Sequence, residues 1–170
     1  MVNKFIFVFF LMSFNVWSTP RIPLVFQVTS SITSEVLDYK ITNVNFFPNT
    51  IYLKYDKETG AFMSADLSLN VETNIPVDEG ADNFTYSLSL IENKSVCING
   101  NDEVIESLPP NVMFNKELLE LNIPVTSLGF ESEINGFLSD ENDVTLLFEK
   151  LDKSLISCSG DISVEVGVDI

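Results

Sequence analysis

Histidine is absent from the chain, and cysteine occurs only twice. Without histidine there is no Ser-His-Asp triad, no Cys-His dyad and no His-ligated metal site. Carboxylate pairs remain possible in principle. The 25 acidic residues are spread along the chain, however, and no pair stands out. No enzymatic activity, no metal and no cofactor is therefore expected. Positive charge is also scarce, with 9 Lys and Arg giving a formal net charge of −16. That balance argues against nucleic acid as a partner, because phosphate binding needs basic patches. It also disfavours anionic lipid surfaces. An acidic, solvated surface that keeps the chain soluble is the simpler meaning. Long hydrophobic runs, tandem repeats and low-complexity linkers are missing, so one domain is the economical expectation.

What is present is apolar side chain in quantity. The 170 residues include 14 Phe, and 45% are hydrophobic. That suffices for the core of one ordinary domain and is too apolar for disorder. Residues 1–18 carry Lys4, then an apolar run from Phe5 to Met12, then Val16 and Ser18 at small-residue spacing. This reads as a secretory signal peptide cleaved after Ser18, with a run too short to span a bilayer.

Directly after it, Arg21 to Ile32 reads R-I-P-L-V-F-Q-V-T-S-S-I. Ile22, Leu24, Phe26, Val28 and Ile32 fall on one side of an extended chain, with Ser30 among them. A lone strand needs a sheet to pair with. It could be the first strand of its own domain. It could also be a free N-terminal arm (residues 19–33) that completes the sheet of another subunit. The body would then be residues 34–170.

Along that body, turn signals separate short alternating runs. Val36–Phe47, Ile51–Tyr55, Met63–Ile75, Tyr86–Leu90, Ser95–Asn99, Leu119–Val125 and Val144–Phe148 each predict a strand. Pro124 places its strand at an edge or a bulge. Ile162, Val164, Val166, Val168 and Ile170 predict a final strand running to the last residue. Asp56–Gly60, Asn99-Gly100, Asn135-Gly136 and Asp140–Asp143 read as turns, and Pro76–Asn83 as an acidic loop without EF-hand spacing. Many strands and no long helical period predict an all-β sandwich. In an exported chain, the pair Cys97 and Cys158 favours a structural disulfide. A redox or metal role would want a C-x-x-C spacing or histidine. The chain-entropy model assigns such a long closed loop roughly 4 kcal/mol.

Three stretches, in order, carry a resemblance to a family. They are Phe26-Gln-Val-Thr-Ser-Ser-Ile-Thr-Ser-Glu-Val-Leu, then Ile51–Ile75 with Leu53-Lys-Tyr55, Phe62 and Val71-Glu-Thr-Asn74, and last Ser159-Gly-Asp-Ile-Ser-Val-Glu-Val. Together they resemble the major pilins of alpha-type, colonisation-factor-like (class 5) fimbriae, assembled by the chaperone–usher route. Two features depart from that pattern: Ser34 stands where proline is usual, and the cysteine pair is extra. The resemblance implies an incomplete immunoglobulin-like sandwich completed by a donor strand. It implies a fimbrial subunit exported through the periplasm to the cell surface and serving adhesion. Its implied partners are neighbouring pilin subunits, a periplasmic chaperone, an outer-membrane usher and a host-cell receptor. Ile22, Leu24, Phe26, Val28 and Ile32 would be the donor residues. Ile162, Val164, Val166 and Val168 would wall the acceptor groove. The alternative is a self-contained secreted β-sandwich that binds a protein or glycan.

Overall fold

Alternation of apolar and polar side chains decides the architecture. The computed structural model describes residues 28–32, 39–106, 109–151 and 155–169. Among them the regular structure is strand, apart from two 3-10 turns at Val77–Glu79 and Ala81–Asn83. Those turns occupy the acidic loop. The strands are β1 (Val28–Ile32), β2 (Ile41–Phe47), β3 (Tyr55–Asp56), β4 (Ala61–Phe62), β5 (Ala65–Pro76) and β6 (Thr85–Asn99). They continue with β7 (Val104–Glu106), β8 (Asn111–Phe114), β9 (Glu117–Leu118), β10 (Val125–Gly129), β11 (Ser132–Ile134), β12 (Phe137–Leu147) and β13 (Leu155–Asp169).

Two sheets face each other. One runs β1-β13-β6-β10, with β7 beside the far end of β6; the other runs β2-β5-β12-β8-β9, with β11 beside β12. The strands β3 and β4 form a separate small hairpin. Leu67, Leu69, Val71 and Ile75 of β5 point inward, as do Val144 and Leu146 of β12. Tyr86, Leu88 and Leu90 of β6 meet them, with Ile162, Val164 and Val166 of β13. Each sheet thus hides one face and wets the other, as antiparallel sheets do. The result is an open, all-β, two-sheet sandwich of the incomplete immunoglobulin-like kind expected.

The two longest strands, β6 and β13, span 15 residues each and pair with each other antiparallel. Their register shifts once near the middle: Ser163 lies opposite Glu92 and Val164 opposite Leu90, so Ile91 is extra. One extra residue reverses which side chains point inward. Before the bulge the even positions of β6 are buried; beyond it Cys97 is buried while Val96 and Ile98 emerge on the outer face. That reversal explains why Tyr86–Leu90 and Ser95–Asn99 read as separate strands in the sequence.

Three other expectations need correction. Residues 51–54 are not strand, and only Tyr55–Asp56 pairs, with β4. The expected strand Leu119–Val125 is a crossing between the sheets. Leu119 is buried there, but Leu121 and Ile123 are about half exposed. The expected turn Asp140–Asp143 lies inside β12, paired with residues 68–71 of β5. Polar side chains do not end a strand when partners wait across the sandwich.

Candidate functional site

The site of interest is the outer edge of β13. The other edge of that strand is held along its length by β6. Cys97 and Cys158 sit directly opposite each other in this pairing and are joined by a disulfide. Both are buried, Cys97 completely. The crosslink therefore fixes β13 against β6 in one register, between the bulge at Ile91 and a second shift between Leu155 and Ser157.

The outer edge is covered differently. Here β1 lies parallel to β13, with Val28 opposite Ile162, Ser30 opposite Val164 and Ile32 opposite Val166. It is the one parallel strand pairing described; every other strand pair is antiparallel. It spans five residues against the fifteen of β13. The strand β1 also approaches β2 of the opposite sheet, so it stands across the open side between the sheets. A small apolar cleft opens on this side, lined by Phe46, Pro48, Ile51, Leu67, Leu146 and Ile162.

The expected groove residues can now be placed. Ile162, Val164 and Val166 are buried, and Val168 is partly buried against the same core. All four lie on the inward face of the terminal strand. Of the expected donor residues, Val28 and Ile32 are in β1, in register with that set. Ile22, Leu24 and Phe26 lie outside the described residues.

A second polar feature had no counterpart in the sequence reading. Tyr86 of β6 donates its hydroxyl hydrogen to Asp140 Oδ2 across the sandwich at 2.6 Å. Asn142 Nδ2 donates to both the Tyr86 oxygen and Asp140 Oδ2, at 2.8 and 2.9 Å. Asn115, in the turn after β8, donates to Asn142 Oδ1 at 2.8 Å. The Tyr86 ring also packs against Phe130. Burial, and then the bond to Asp140, push the Tyr86 hydroxyl far above the usual phenol range. This buried network ties the two sheets together close to the end of β13, where Val168 lies opposite Tyr86. The signal available in the sequence was a polar run flanked by apolar alternation, Leu138 before it and Val144 after.

The outer face is charged where β6 meets β13. Lys94 pairs with Glu92 at 2.6 Å, which holds the Glu92 carboxyl below its ordinary range and raises Lys94. Ser163, in the stretch of β13 that faces β1, donates weakly to the other Glu92 oxygen at 3.4 Å. Both charged groups are solvent-exposed, so water screens the pair. Nothing in this arrangement resembles a nucleophile with a base or an oxyanion cradle. What it offers is strand edge, apolar cleft and a fixed register, which are the ingredients of β-augmentation.

Comparison with known proteins adds a distant likeness. No family model matches the chain, and no curated protein matches it. Among solved structures, the chain is similar to the CooA pilin subunit from enterotoxigenic Escherichia coli, with a TM-score of 0.42 and 11% sequence identity. The alignment covers 68% of this chain and 86% of that chain.

Proposed function

We propose that the chain is a structural subunit of a bacterial surface fimbria that polymerises by donor-strand exchange and serves adhesion, with no catalytic role. One observation carries the reading. The terminal strand β13 presents a buried apolar row, Ile162, Val164 and Val166, and its outer edge is met by a short strand from the N-terminal arm. The side of the sandwich that would need completing is the side the arm reaches. The expected secretory signal, the disulfide and the acidic composition fit the same route. In that route a periplasmic chaperone fills the groove first. At an outer-membrane usher, the arm of the next subunit then replaces it. A host-cell receptor would be the partner of the finished fibre.

On this reading Ile22, Leu24, Phe26, Val28 and Ile32 enter successive pockets of a neighbour. Burial of each large side chain stabilises by roughly 1.5–3 kcal/mol. Phe26→Asp is expected to abolish fibres while leaving the body folded, as judged by electron microscopy and circular dichroism of the same preparation. Normal fibres from that variant would overturn the reading.

A second reading is favoured by the pairing of β1 within its own chain. The molecule would then be a self-contained secreted β-sandwich that binds a protein or glycan. It would remain a stable monomer and ignore a peptide spanning residues 21–32.

A further inference from the structure

We infer that β1 is a self-capping strand: the arm of each subunit shields its own β13 edge until the strand of another subunit displaces it. This rests on the exchange reading and adds a regulatory step to it. The first support is register. Val28 and Ile32 face Ile162 and Val166, so residues required for donation are held at the chain's own acceptor. A subunit cannot use those residues at both places at once. The second support is direction. The pairing is parallel, which is slightly less stable per residue than the antiparallel pairing used elsewhere in the molecule.

The third support is connectivity. Residues 33–40 join β1 to β2, which lies at the edge of the opposite sheet. So short a tether gives the cap a high effective concentration, in the millimolar range for short linkers. Intramolecularity favours the cap, and its weaker parallel pairing leaves it displaceable. A monomer is thus protected from random edge-to-edge association, yet remains open to a displacing strand.

The test locks the cap in the full chain beginning at Thr19. Ser31 lies opposite Glu165, so Ser31→Cys with Glu165→Cys can crosslink β1 to β13. The native disulfide is buried, so a mild reductant opens the new bond first. The probe is a fluorescent peptide of residues 21–32. Uptake by the oxidised variant should be at least about tenfold slower than by the reduced one, because only the uncapped fraction binds. With the reduced protein, the rate should level off as peptide is raised. Equal uptake in both states would overturn the cap while leaving exchange intact. No uptake by either state or by the parent chain would overturn the exchange reading, and the cap with it.

Should the crosslink fail to form, Ser30→Pro with Ser31→Pro gives the opposite perturbation. Alternate residues of a strand donate toward a given neighbour, so one of two adjacent prolines removes a ladder bond. Uptake should then be faster than in the parent chain, and unchanged uptake would overturn the cap.

Discussion

The two edges of β13 are built on opposite plans. Toward β6 the strand is antiparallel, paired along its length and crosslinked by Cys97–Cys158. Toward β1 it is parallel, paired over five residues among the described ones and held by no covalent bond there. The same apolar side chains serve both, since Ile162, Val164 and Val166 lie between the edges and point into the core. The difference teaches that permanence in this fold comes from the partner strand, not from β13 itself. One edge keeps the strand in place, and on the exchange reading the other can change hands.

Breaking the permanent edge should have the largest effect. Replacing both cysteines, Cys97→Ser with Cys158→Ser, is expected to cost roughly 4 kcal/mol in a urea melt under oxidising conditions. Peptide uptake should become heterogeneous as well, because β13 can then slide against β6. Loss of stability with unchanged, single-phase uptake would mean that the crosslink does not set the acceptor's register.

A smaller effect is expected where the two sheets are tied. Tyr86→Phe leaves a buried carboxyl oxygen of Asp140 without one donor, at a cost of about 1–3 kcal/mol. The pH dependence has a definite sign. The Tyr86 proton is held more tightly in the folded chain than in the unfolded one. The unfolded chain therefore loses that proton first. The associated stability is fully present below the ordinary tyrosine pKa of about 10 and is lost as pH rises above it. In alkaline melts, the parent chain should lose this increment and the Phe variant should not.

The smallest effect is expected on the wet face of the permanent edge. Lys94→Ala removes the partner of Glu92, an exposed pair that water and salt already screen. The unfolding midpoint near neutral pH should not move measurably. The lowered Glu92 carboxyl contributes only above the ordinary glutamate range, and that contribution fades as pH falls through its folded value. Any gap between the parent and the Ala variant should therefore close in acid.

The sequence made the body legible wherever a single alternation ran unbroken. Met63–Ile75 anticipates β5, and Ile162–Val168 anticipates the inward row of β13. The class of fold followed from such runs, and the disulfide followed from an even cysteine pair in a chain read as exported. Two kinds of feature were hidden. The first is a change of phase, as at Ile91, where local periodicity splits one strand into two. The second is a polar run that belongs in the core. Asp140 and Asn142 look like turn residues until Tyr86 and Asn115 are found opposite them. Those partners lie 54 residues away for Asp140 and 27 away for Asn142, beyond the reach of any local window. At the candidate site, the apolar row of β13 and the alternation through Val28–Ile32 were both visible. The parallel direction of their pairing was not, because alternation is the same read either way along a strand.

The bulge at Ile91 behaves like a frameshift written in space. Every side chain of β6 beyond it is displayed in the opposite sense from those before it. Cys97 reaches Cys158 only because that inversion has happened. Deleting Ile91 would restore an uninterrupted period, turning the cysteine outward and Val96 and Ile98 inward. The length of chain between Tyr86 and Cys97 is therefore constrained by geometry in a way that its composition is not. A polar residue in place of Ile91, on the wet side of the sheet, should cost little. The loss of one residue there should cost the crosslink.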